Sequence, residues 1–149
     1  MELEKVLDEN IITLDIDIPN KKSVIEYLSR NLLENGYIDN EEKFIDDIYK
    51  REKQGITGIG DYIAIPHGKS DAVKKIGVAI CRLKKEIEWE TLDGKGVKII
   101  FLFSVSNNNN YAKNHMILLS KFAAKLGDEN VTNELFKVTD KKNFIKLFS

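Results

Sequence analysis

Cysteine and histidine are scarce in this chain, and each shortage closes a class of function. The single cysteine, Cys81, excludes an intramolecular disulfide and cannot supply a cysteine-rich zinc site. It falls in an apolar segment at 76–83 and reads as a small buried hydrophobe. The two histidines, His67 and His115, show neither HxH nor HExxH spacing and no neighbouring carboxylate cluster. A metal-dependent hydrolase built on them has too few ligands. Charge of one sign is also missing: the formal net charge is -1, and the lysine pairs at 21–22, 74–75, 84–85 and 141–142 are scattered. That balance argues against a nucleic-acid partner, which calls for a basic stripe or a strong positive excess. Long apolar runs are absent as well, since the longest, Val97 to Val105, is interrupted by Lys98 and is far too short to span a bilayer. The acidic start MELEKVLDEN has no targeting character, so the expectation is a cytoplasmic protein with no membrane insertion.

What is present suits one core. With 149 residues, 42% of them hydrophobic, the chain can bury one good interior and is too short for two ordinary domains, so 1–149 is read as a single domain. A short helix at 3–8 precedes a strand at 11–16. Asn20 then caps a helix whose Val24, Ile25, Leu28, Leu32 and Leu33 recur on one face until Gly36 ends it. A second helix starts after Asn40, with Phe44, Ile45 and Ile48 as its apolar stripe. A hairpin follows, then strands at 76–83 and 97–105, a polar loop at the asparagines 107–110, and helices near 111–127, 130–137 and 140–148. Strands interleaved with helices predict an α/β fold, a mixed β-sheet flanked by helices on both faces.

The most informative segment is Arg51 to Gly68, REKQGITGIGDYIAIPHG. Its glycines permit turns closed to bulkier residues, and the run Tyr62 to Ile65 reads as a short strand that carries His67 out of the sheet. Pro66 fixes its own φ and keeps the preceding residue extended, which restricts how His67 can be approached. A neutral imidazole near pH 7 serves as nucleophile, general base or metal ligand. Arg51, sixteen positions upstream at the end of a helix, either faces the dipole of that helix or returns to the side of His67. Beside a histidine, a guanidinium is poorly suited to promoting a base and well suited to holding a phosphoryl group. His115 opens the helix HMILLSKFAAKL, either facing a cleft from its first turn or sitting there without a special role.

The strings RE, TGIG and IAIPHGKSDAV, followed by VAI, by IEWETLDG, and by an apolar strand with a histidine opening the next helix, carry a resemblance. The chain resembles, over its whole length, the enzyme IIA component of the bacterial phosphoenolpyruvate-dependent sugar phosphotransferase system, in the fructose/mannitol family. The resemblance implies that His67 accepts a phosphoryl group from the phosphohistidine of HPr and passes it to an enzyme IIB domain, with the membrane enzyme IIC engaged only indirectly. It implies site roles for Arg51 and His115 and requires no cofactor and no metal, because the donor is already a phosphoramidate. It also implies the same sheet architecture. Asp61 and Tyr62 stand where many members have Asn-Gly in the turn. Thr57 and the amides around Gly68 are further possible phosphoryl donors, and Ile59, Tyr62 and Ile63 are either a docking surface or core.

Two roles are compatible with that chemistry. The segment HGKSDAVKKIGVAI with EIEWETLDG is closer to the fructose-type transport components. The nitrogen-related enzyme IIA proteins share TGIG and IPHG, and in them the same phosphorylation would signal without moving sugar. The identity of a sugar is not written in such a chain, because specificity belongs to the membrane component.

Overall fold

The computed structural model describes residues 3–149. Two 3-10 turns, Leu3–Val6 and Glu9–Ile11, stand where a short helix was expected, and they lead into β1 (Ile12–Ile16). Next come α1 (Lys21–Glu34), α2 (Glu41–Glu52), β2 (Gly58–Gly60), β3 (Ile63–Ala64), β4 (His67–Ser70), β5 (Gly77–Ile87) and β6 (Val97–Ser106). The chain closes with α3 (Asn109–Leu126), α4 (Glu129–Leu135) and α5 (Lys141–Lys146). No helix among the described residues is long and apolar enough to cross a membrane.

The expected Asn20 cap forms, and Asn40 caps α2 in the same way. The Asn20 side chain accepts from Ser23 N at 2.9 Å and the Asn40 side chain from Lys43 N at 3.0 Å. At the far end of α1, Gly36 adopts φ +79°, with Tyr37 N bonding to the Leu32 carbonyl and Gly36 N to that of Leu33. This pair of bonds closes the helix as a Schellman motif.

The sheet runs β1-β5-β6-β3-β2, with β4 also paired to β6. β5 and β6 are antiparallel, whereas β1 lies parallel to β5, and β3 and β4 lie parallel to β6. The sheet is therefore mixed, as expected. β3 and β4 are two stretches of one track along β6, interrupted at Ile65 and Pro66; Phe103 N still donates to the Pro66 carbonyl at 3.0 Å across the gap. The expectation that His67 leaves the sheet is thus corrected, because the chain resumes pairing at His67 itself. The segment HGKS has no apolar alternation, and its pairing with β6 is a matter of backbone alone.

Alternation along β5 and β6 divides the interior into two layers. Val24, Ile25, Leu28 and Leu32 of α1, with Phe44 and Ile48 of α2, cover Ala79, Cys81, Leu83, Ile100 and Leu102. On the opposite face Leu118, Phe122, Leu135 and Phe144, with the C-terminal Phe148, cover Ile80, Ile99, Phe101 and Phe103. Helices flank both faces, as the alternating pattern predicts.

Candidate active site

The hairpin that delivers the site turns on Asp61 and Tyr62, whose φ values of 55° and 64° lie in the left-handed region. Two consecutive positive φ angles between paired Gly60 and Ile63 make the tight turn that favours Asn-Gly. The Asp61-Tyr62 pair keeps that geometry. An Asp93 carboxylate oxygen accepts from Asp61 N at 3.2 Å, and Lys95 Nζ lies 5.7 Å from the centre of the Tyr62 ring.

His67 is half-buried at the start of β4, in register with Phe103 on β6, and its ring rests 5.4 Å from the Phe103 ring centre. Nδ1 is buried and makes no hydrogen bond of full geometry, although the Ile65 carbonyl is near enough to favour a proton there. Nε2 is the ring nitrogen left with solvent access. Burial is the main cause that pushes the pKa of His67 below its ordinary 6.5; the charge of Arg51 lowers it further, while the Ile65 carbonyl and Glu52 oppose. Burial therefore favours the neutral ring over the charged one.

Arg51 occupies the last turn of α2, and its Nη1 donates to the Gly55 carbonyl at 3.3 Å. The structure brings it within electrostatic reach of His67. Gly68 explains how α2 comes so close: a Cβ at this position would lie 2.2 Å from Cε1 and Cζ of Phe44. Without a side chain there, the Phe44 ring packs directly on the β4 backbone.

His115 is the seventh residue of α3, in its second turn. Because α3 begins at Asn109, the expected placement in a first turn after a loop at 107–110 is corrected. His115 falls on the inner stripe with Leu118, Phe122 and Leu126, and only 8% of it is exposed. Burial lowers its pKa, with a smaller contribution from Lys69. Lys69 lies two residues beyond His67 on the same face of β4, because their partners Phe103 and Val105 both belong to the α3-side core. His115 thus joins the α3 side of the His67 strand through Lys69. It lines a cleft of about 410 Å³ with Lys74, Lys75 and Ser106, and His67 is not part of that lining.

Sequence reading missed Glu52, Trp89 and the true place of Thr57. The Thr57 hydroxyl, in a residue 3% exposed, donates to Glu52 Oε2 at 2.7 Å and accepts from Trp89 Nε1 at 3.3 Å. Its only donor is already used, so its expected service to a phosphoryl group is corrected to a scaffolding one. Ile63 is core at 1% exposure, while Ile59 and Tyr62 are half-buried. Among the described residues, no group of three or more His, Cys, Asp or Glu is placed to hold a metal ion.

The family model of the phosphoenolpyruvate-dependent sugar phosphotransferase system, EIIA 2, matches residues 5–149. This chain belongs to that family. The fructose-specific EIIA component of Haloferax volcanii is 28% identical over 141 residues, which is 95% of this EIIA chain and 90% of that protein. Other curated relatives are longer: of an EIIABC component and multiphosphoryl transfer proteins up to 32% identical, the chain spans only 16% to 21%. Among solved structures, the nitrogen regulatory protein IIA-Ntr of Neisseria meningitidis superposes with a TM-score of 0.89 at 27% identity, covering 99% of both chains. The Escherichia coli complex of enzyme IIA mannitol with phosphorylated enzyme IIB mannitol matches at a TM-score of 0.78 and 22% identity, over 95% of each chain, which shows the fold alone.

Proposed function

We propose that this chain is one EIIA domain, residues 1–149, acting in the cytoplasm as a phosphoryl carrier. His67 accepts a phosphoryl group from phospho-HPr and passes it to an enzyme IIB domain, in support of fructose-type uptake by a membrane enzyme IIC. The observation that carries this reading is the placement of His67, half-buried at the start of β4 with Nδ1 enclosed, where burial favours the neutral ring and Arg51 is within electrostatic reach. The Nε2 lone pair forms the new bond to phosphorus as the donor's P–N bond breaks, and that electron pair returns to the donor imidazole. The ring proton stays on the other nitrogen, and the Ile65 backbone and the charge of Glu52 favour the positive ring that forms. No covalent step besides this exchange is required, so the protein's contribution is position and charge. Arg51 pairs with the phosphoryl oxygens, a task for which its planar fork is suited. Neutral His115 donates a hydrogen bond to the phosphoryl group or steadies the phosphorylated ring.

The test is incubation with phosphoenolpyruvate, enzyme I and HPr, comparing wild type with His67→Ala. Incorporation should vanish in the mutant; incorporation at the wild-type rate would refute the assignment. The likeness to the nitrogen regulatory protein supports a second reading, in which phosphorylated His67 signals and no sugar moves. Transfer from the phosphorylated chain to a purified fructose-type IIB domain separates the two, since a signalling protein would retain the group.

A further inference from the structure

Behind the site lies a buried polar chain that the phosphoryl chemistry does not touch. Glu52, the last residue of α2, has a side chain only 8% exposed; its Oε1 lies 2.6 Å from Lys21 Nζ at the start of α1, and its Oε2 receives the Thr57 hydroxyl. Thr57 in turn receives the indole N–H of Trp89, the only tryptophan of the chain. Lys21 also reaches Glu90 at 2.9 Å and stands 4.8 Å from the centre of the Trp89 ring. The two ends of α1 and α2, the entry to β2 and the link between β5 and β6 thus meet at one hydroxyl and one carboxylate.

That junction has two outlets, and both lead to the site. The loop 53–56 that separates Glu52 from Thr57 is exposed, and its Gly55 carbonyl receives Arg51 Nη1. The Thr57 carbonyl accepts from Ile65 N at 2.9 Å, and the Ile65 backbone in turn acts on the His67 ring. Breaking the Glu52–Thr57 bond releases one end of the loop that holds Arg51. It also loosens the peptide that sets which His67 nitrogen carries the proton.

We propose that Glu52 and Thr57 are positioning residues for phosphoryl transfer at His67, their buried hydrogen bond holding both the Arg51 loop and the peptide that orients the imidazole. This rests on the reading of His67 as the phosphoryl acceptor. Neither side chain touches the phosphoryl group, and both are buried away from any docking partner.

The experiment compares Thr57→Val, Thr57→Ser and Glu52→Gln with wild type, each confirmed folded by circular dichroism. Thr57→Val should slow single-turnover transfer from saturating phospho-HPr by roughly 10- to 100-fold, the range for removing a buried hydrogen bond to a charged group, with half-saturation unchanged. Thr57→Ser, which keeps the hydroxyl, should restore the rate. A second readout needs no partner: with only two histidines, the ring 15N and Cε1–H signals of His67 are assignable and report tautomer and pKa. In wild type the proton should sit on Nδ1. Thr57→Val should mix the tautomers, and Glu52→Gln should lower the His67 pKa, because Arg51 then acts on the ring unopposed from α2 while Lys69 and His115 on the other side are unchanged. Wild-type protein inert towards phospho-HPr would refute the acceptor reading and leave the tautomer readout to decide on positioning. Thr57→Val with wild-type rate and tautomer, or a serine variant as slow as valine, would overturn the proposal.

Discussion

Replacing Gly68 with alanine tests how closely α2 must approach the proposed phosphoryl site. Gly68 is not among the glycines with positive φ, so an alanine fits the backbone without strain. By itself the change should stabilise the fold by about 0.4–1 kcal/mol through a less disordered unfolded chain. The Phe44 ring reverses the sign. The new methyl would lie 2.2 Å from two ring carbons, whereas carbon atoms settle at about 3.5 Å or more. Phe44 is 0% exposed and two of its ring carbons would be met at once, so overpacking in the upper part of the usual range, about 2–3 kcal/mol, is expected. The net loss should be about 1–2.5 kcal/mol, or roughly 3–10 °C in melting temperature for a chain of this size. Urea unfolding followed by far-ultraviolet circular dichroism measures it. Adding Phe44→Leu should recover part of the loss, so that the two changes are not additive. An unchanged or raised urea midpoint for Gly68→Ala, or strict additivity, would show that the contact between helix and strand is not the constraint described.

Arg51→Lys should lose much of the single-turnover transfer rate although the charge is kept, and Arg51→Ala should lose more with an unchanged circular dichroism spectrum; a lysine variant as fast as wild type would mean that fork geometry is irrelevant. His115→Ala should still be phosphorylated at His67 but deliver the group to IIB more slowly, by an amount near the 1.5–3 kcal/mol typical of a hydrogen bond to a charged group. Phosphate mapped to His115 would exchange the two roles. With His67 as the proposed acceptor and burial pushing its pKa below the ordinary 6.5, the transfer rate should hold steady down to that pH and fall only below it. Stability should follow the same direction. Unfolded histidines take up a proton near 6.5 while the folded rings resist, so the contribution of His67 and His115 is intact above that pH and lost as pH falls, by at most about 1.4 kcal/mol per pH unit for each ring. A pH titration of the urea midpoint in wild type and His67→Ala measures it.

The fold class was legible because α1, β5 and β6 carry clean periodicities and because Asn20, Gly36 and Asn40 mark helix ends with side-chain chemistry that acts locally. The IPH segment stood out as a candidate site because a proline and glycines fix the backbone around its histidine. β4 was not legible, because HGKS has no apolar alternation and its pairing with β6 exists only in three dimensions. β5 runs on to Ile87 past three exposed charged residues, Lys84, Lys85 and Glu86, that gave no reason to extend it. The Glu52–Thr57–Trp89 chain escaped for a similar reason: its members lie 5 and 32 positions apart, and polar partners across such spans leave no periodic trace.

The buried cysteine gives the molecule an internal clock. Cys81 sits at the centre of β5 with no exposed surface, and burial pushes its thiol pKa up to about 12. Below pH 9 almost none of it is thiolate while the sheet is closed, and no reagent can reach it there. Each alkylation event must therefore wait for α1 and α2 to lift from the face of the sheet that they cover, or for the whole chain to unfold. The labelling rate of the untouched wild-type protein reports openings of that helical layer, with no engineered probe and no denaturant.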